Sequence, residues 1–455
     1  MKKIICLPNK ILFFQHWKLK VVIALLVLCL FSLNSSGQNV TSIFAEGLNR
    51  PISVAVDKKG WVWVSEQGTG KNDGRISVIT GQDEVYPVIT GLPSDSIQGD
   101  ISGPNKIYFN PEGDLVIVQG EGDDTLSRSI LVIDTSEFTP EQDTLQLEDI
   151  SEIYRLGDFL SSSPELTGLT YNPYALAYGA NGDLFIADAG ANAIIRRNKV
   201  SGALSVFAKL PTITNKSAAG PPQVHAVPTG ILYKSGYFYV STLTGFPFQE
   251  KAAKVFKIDT LGNVTILHDS LTTLVDIAFD PDSNLVLTHF SSFSFNPAPG
   301  FVPNTGSILY VKGSDIDTLE TGLNTPTALA FNTSNQLFVS LLRNGEIISI
   351  QLHLTETEKQ DLSGSKLTQN YPNPFTDETD IGFTVIGNNQ VNLSIYNASG
   401  IRIRTLVNEI KQAGDYKVVW DGKSDNGVSS NKGLYFYRLE IDQKATDTKK
   451  LILGH

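Results

Sequence analysis

Glu66, Gln119, Asp188, Thr242 and His289 stand at one repeated place in this chain, just past a short apolar run, and Leu341 holds the sixth such place. If those places surround one mouth, two carboxylates, an amide, a hydroxyl and an imidazole could hold a divalent cation such as calcium or orient a water for attack. Asp276 joins Glu66 and Asp188 as a candidate metal ligand. Asn192 and Phe246 complete the ligand-binding candidates, Phe246 as the aromatic lip of a pocket. The local alternative is that such acids and amides accept backbone N–H groups and cap the next turn, and that Phe246-Pro247-Phe248 is a rigid packed loop. No G-x-S-x-G, Walker-type phosphate loop or H-E-x-x-H occurs. The motifs therefore leave catalytic residues unassigned and lean toward binding rather than catalysis.

These residues are positioned by a repeat. Six copies of a strand, turn and strand can be overlaid: residues 52–56 with 61–65, 106–109 with 115–118, 174–178 with 184–187, 229–232 with 237–241, 275–279 with 285–288, and 327–331 with 337–340. The turns are DKKG, NPEGD, GANGD, KSG, DPDSN and NTSNQ, whose Asp, Asn, Gly and Pro suit hairpin geometry and lack the ligand spacing of a calcium loop. A third strand follows at 75–79, 129–133, 193–197, 254–258, 307–311 and 346–350. A fourth follows in five copies, at 85–90, 153–156, 204–208, 264–268 and 317–321. The sixth copy lacks it, and residues 41–45 resemble the missing strand. Short strands at near-regular spacing predict a six-bladed β-propeller whose last blade is closed by the N-terminal strand. Two long insertions, 135–172 and 289–306, interrupt the spacing and are expected at a mouth of the ring.

The 455 residues are 41% hydrophobic with a formal net charge of -11, enough for a large core and more than one domain. The acidity and the absence of a Lys/Arg stripe argue against a nucleic-acid or anionic-lipid partner. A basic N-terminal region, the apolar run 21–33 and small residues before Gln38 predict a signal peptide over residues 1–37, leaving no stable transmembrane segment after cleavage. Both cysteines, Cys6 and Cys29, lie in that segment, so the mature chain is expected to carry no disulfide and no cysteine metal site. The propeller is placed at 38–355, a polar linker at 356–366, and a small antiparallel β-sandwich at 367–455.

The C-terminal segment resembles the Ig-like sorting domain of the type IX secretion system of Bacteroidetes. The resemblance rests on Asn370-Tyr371-Pro372-Asn373-Pro374-Phe375, residues 391–397, Gly400 and Arg402, Gly414-Asp415-Tyr416, Trp420-Asp421-Gly422, residues 433–439 beginning at Gly433, and the closing run from Lys449 and Lys450 to Leu453. It implies partnership with that secretion machinery and a protein that is secreted or attached to the outer-membrane surface of a Gram-negative bacterium.

The propeller resembles the ScyD/ScyE family, related to NHL and gluconolactonase-like six-bladed rings. This rests on residues 173–176, 183–192, 227–230, 243–248 and 252–255. The expected function is a binding or scaffold protein that takes an unknown small molecule, glycan or protein at the propeller mouth. The alternative is a metal-dependent hydrolase or lyase of the gluconolactonase type, for which the resemblance nominates Glu66, Asn192 and Asp276 around one divalent cation, although their local motifs differ from that family's.

Overall fold

The computed structural model describes residues 40–97, 99–141, 144–352, 365–386, 389–397, 402–441 and 444–454. The expected signal peptide with both cysteines, most of the linker, and Gly400 lie outside them. The chain divides into two compact units, Asn39–Leu352 and a second that contains His353–His455. Among the described residues no helix is long and apolar enough to cross a membrane.

The first unit is six antiparallel four-stranded sheets. Their inner strands are Pro51–Val56, Pro104–Phe109, Pro173–Tyr178, Pro228–Lys234, Leu274–Phe279 and Pro326–Phe331. Each packs against the inner strand of the next sheet, and the last packs against the first, which closes a ring. Alternation along the strands places apolar side chains between neighbouring blades. Phe185, Phe207 and Phe238 meet between the third and fourth blades, with ring centroids 4.2 to 5.5 Å apart. The hairpin turns carry the acids and amides expected of turns. Asp57 Oδ1 accepts the N–H groups of Lys59 and Trp61, Asn110 Oδ1 those of Gly113 and Asp114, and Asn332 Oδ1 those of Ser334 and Gln336.

In the sixth sheet Val40–Ala45 pairs with Glu346–Gln351, Val40 opposite Gln351 and Ala45 opposite Ile347. The seam is locked by a bond from the Leu48 N–H to the Gly345 carbonyl of 3.0 Å. Gly345 has φ +70°, and a Cβ there would lie 2.4 Å from the Leu48 oxygen, so only glycine fits this crossing.

Pairing runs in the same frame in every blade. Glu66, Gln119, Asp188, Thr242, His289 and Leu341 end their second strands opposite Pro51, Pro104, Pro173, Pro228, Leu274 and Pro326. The N–H of each following residue donates to the carbonyl of the residue before the inner strand, as in Gln67 to Arg50 at 3.1 Å and Phe290 to Thr273 at 2.8 Å. The overlay of repeats made from the sequence is therefore the spatial one. Of the two insertions, the first holds an outer strand, Glu152–Arg155, and the helix Gly157–Ser162; the second holds a small hairpin, Phe293–Ser294 with Gly300–Phe301.

The second unit is a sandwich of a three-stranded sheet (Lys366–Leu367, Thr379–Val385, Gly414–Trp420) and a four-stranded sheet (Arg402–Lys411, Asn389–Asn397, Gly433–Ile441, Lys444–Leu453). Trp420, fully buried, packs against Phe375 and Tyr435 at 5.5 and 5.3 Å. The proline-rich opening motif is a clasp. Asn370 is buried, donates through its Nδ2 to Thr379 Oγ1 at 2.9 Å, and donates its backbone N–H to the Tyr437 hydroxyl. Asn373 Oδ1 accepts the N–H of Ile452, and the Phe375 N–H donates to the Ile452 carbonyl, so the motif holds down the last strand. Tyr371, 80% exposed, is left facing solvent. Asn373→Ala is expected to cost about 1 kcal/mol, the net worth of one such bond, and to raise amide exchange at Ile452. Unchanged exchange there would show the clasp to be incidental.

Candidate functional site

The ring has two mouths, one bordered by the loops that follow the second strands and one by the short hairpin turns. All the ligand candidates apart from Asp276 belong to the loop mouth. The structure sorts them by whether their polar atoms are already used.

Glu66 is fully buried and saturated: Arg75 donates through Nε and Nη2 at 2.7 and 2.8 Å, Ser77 Oγ at 2.6 Å, and the Asn49 N–H at 2.6 Å. Thr242 Oγ1 bonds both the N–H and the carbonyl of Lys254 at 3.0 Å. Asn192 bridges two segments, donating to the Leu210 carbonyl at 2.8 Å and accepting the Val227 N–H at 3.0 Å. These three serve as braces. Gln119, Asp188 and His289 differ, since each buries one polar atom that no protein group meets: Gln119 Oε1, Asp188 Oδ2 and His289 Nε2. Asp188 Oδ1 accepts the N–H groups of Asn172 and Ala191, and burial, with Glu121 nearby, pushes its carboxyl up to about 6. Burial lowers the His289 pKa, so the imidazole is neutral at pH 7, with Nδ1 3.1 Å from Ser307 Oγ.

Phe246 is 44% exposed and packs edge-on against Phe248, Phe293 and Phe295, so it is both part of a loop cluster and a lip. Among the described residues no group of three His, Cys, Asp or Glu side chains is arranged to hold a metal ion. Of the metal candidates, Glu66 and Asp276 spend their carboxylates on Arg75 and Lys106.

The ring's axis holds the larger feature. A cavity of about 440 Å³ opens at the turn mouth, lined by the C-terminal halves of all six inner strands. At the third residue of those strands stand Ser53, Lys106, Ala175, Gly230, Asp276 and Ala328. Lys106 and Asp276 belong to the second and fifth blades, which are three apart in a ring of six and therefore face each other across the axis. The four small residues leave room for the contact, and Lys106 Nζ reaches Asp276 Oδ2 at 2.5 Å. The same oxygen accepts the Leu329 N–H at 2.9 Å from the sixth blade. The pair forms a crossbar, with side chains 17% and 4% exposed, at the floor of the cavity.

Above the floor the walls are aromatic. Tyr108 and Tyr178 lie 5.7 Å apart, and Tyr233, Phe279 and Phe331 continue the rim, with Lys234 Nζ 4.4 Å from the Phe279 ring. Burial raises the Tyr108 and Tyr178 pKa, so both hydroxyls stay protonated and able to donate at neutral pH. Sequence reasoning missed this cup. Its trace was Lys106, the only cation at the third inner-strand register, directly before the run Ile107-Tyr108-Phe109.

The model of the FlgD Ig-like domain matches residues 375–445. No curated protein matches the chain. Among solved structures, the chain is similar to a protein of unknown function from Bacteroides thetaiotaomicron, with 12% identity and a TM-score of 0.46 over 69% of this chain and 76% of that one. It is also similar to virginiamycin B lyase from Staphylococcus aureus, with 14% identity and a TM-score of 0.42 over 70% and 99% of the two chains. A third similarity is to PorZ, a surface component of the type IX secretion system of Porphyromonas gingivalis, with 13% identity and a TM-score of 0.38. It covers 90% of this chain and 60% of PorZ.

Proposed function

We propose that this chain is a secreted or surface-attached six-bladed propeller of the ScyD/ScyE kind, exported through the type IX secretion system under direction of its C-terminal sandwich, and that it binds a small ligand in the axial cup. The observation that carries the binding reading is the cup itself. It is a concave, aromatic-walled space within the volume range of small-molecule sites, with a charge pair at the floor and tyrosines on the walls. The export reading is supported by the motifs from Asn370 to Phe375 and from Gly433 to Leu453.

The binding reading is tested by a thermal-shift screen of small molecules against the purified chain, followed by calorimetry on hits with Tyr178→Ala. A cup ligand is expected to lose about fivefold or more in affinity, because one aromatic wall is worth about 1 kcal/mol to a stacked ligand. Hits whose affinity ignores both Tyr178→Ala and Tyr108→Ala would move the site elsewhere.

A further inference from the structure

A second cavity of about 350 Å³ runs along the seam between the second and third blades, and Tyr178 lines both it and the cup. In the second cavity Arg197 lies over the Tyr154 ring at 3.6 Å, and Lys199 faces Glu112 at 4.0 Å, with Asn110, Asp114 and Glu152 also in the lining. The hollow on the axis and this outward-lying groove therefore flank one tyrosine, their common wall.

The chemistry of the two parts agrees. The floor of the cup is an ammonium paired with a carboxylate, so it carries no net charge and selects neither an anion nor a cation. Lys106 Nζ keeps two N–H donors beyond the one spent on Asp276, and the carboxylate of Asp276 keeps acceptor capacity on Oδ1. A donor and an acceptor side by side suit adjacent hydroxyl groups, each of which accepts from one and donates to the other. Tyrosine faces suit the C–H faces of a saturated ring and carry hydroxyls for its edges. The groove repeats the pattern with cations and carboxylates interleaved, which again favours a neutral, hydroxyl-rich chain over a charged one.

We propose that cup and groove together bind a neutral oligosaccharide, one sugar ring seated on the Lys106–Asp276 floor and the following units laid along the seam past Tyr178. This rests on the cup reading above and goes beyond it in naming the ligand class and the direction in which the ligand extends.

The test is calorimetry of the full chain with cello-, chito- and laminari-oligosaccharides of one to six units. Affinity is expected to rise about tenfold or more between one and four units in at least one series. Arg197→Ala, and independently Lys199→Glu, should flatten that rise, while Tyr178→Ala should weaken every length. Thermal melts show whether each variant is folded, and the two groove variants back each other. A length series that binds but stays equally steep in both groove variants would overturn the groove. If no saccharide in the three series binds while small molecules sensitive to Tyr178→Ala do, the saccharide assignment fails and the cup reading stands. If nothing sensitive to Tyr178→Ala binds, both fall.

Discussion

Lys106→Met is expected to destabilise the propeller by about 3–5 kcal/mol, because it strands the Asp276 carboxylate with one backbone donor in a site where its side chain is 4% exposed. Asp276→Leu should cost a similar amount by stranding the lysine, although less fully, since Lys106 is 17% exposed and its stem can carry the ammonium toward the cup. The double variant Lys106→Met with Asp276→Leu removes both charges and should recover most of the loss, as buried pairs replaced by apolar residues of similar size often do. The melting temperature should fall by roughly 5–8 °C in Lys106→Met, given the unfolding entropy of a unit of this size. Single variants as stable as the parent would mean that the crossbar is solvated and contributes nothing across the axis. The same variants should change the ligand preference of the cup, so stability and binding are to be read on the same samples.

The second large effect is a pH dependence. The Asp188 carboxyl is pushed up to about 6 by burial, above its ordinary value of 3.8. The folded state therefore holds this proton over a range where the unfolded chain has lost it. The stabilising contribution is fully present below about pH 4 and is lost as pH rises through about 6. From the size of the shift, stability should fall by on the order of 2–4 kcal/mol across that window on account of this residue. Other carboxylates pull the opposite way: hydrogen bonds from Lys199 and Arg196 lower the Asp183 pKa, against the desolvation that raises it. The measurement is therefore a difference, with denaturant unfolding of parent and Asp188→Asn compared at pH 4 and pH 7.5. Asparagine keeps the oxygen that accepts the Asn172 and Ala191 N–H groups. The variant should gain on the parent by about that amount at the higher pH. A gap that does not change with pH would show that Asp188 is ionised in the fold throughout.

Much of the architecture was local information. Strands of five or six residues bounded by Asp, Asn and Gly turns declare themselves in the sequence, because turn geometry and alternation depend only on near neighbours. That is why the six repeats, and the common place of Glu66, Gln119, Asp188, Thr242, His289 and Leu341 within them, could be read before any coordinates. The sandwich was legible for the same reason, from alternating strands such as Gly433–Ile441.

Which of those six carry an unused polar atom was not local. Glu66 is saturated because Arg75 and Ser77 lie beside it on the next strand and Asn49 approaches from the loop before the blade, whereas Asp188 meets only backbone on one oxygen. Hydrogen-bond saturation depends on neighbours that the repeat does not specify. The crossbar is the extreme case. Lys106 and Asp276 are 170 positions apart, and nothing near either residue announces the other. They meet because a ring of six sets the second and fifth blades face to face, and because Ser53, Ala175, Gly230 and Ala328 are small enough to let the two side chains reach across. The sequence by itself determined the repeated sheet and its turns; only closure of the ring decided that two lone charges become a floor, and that the space above them becomes a cavity.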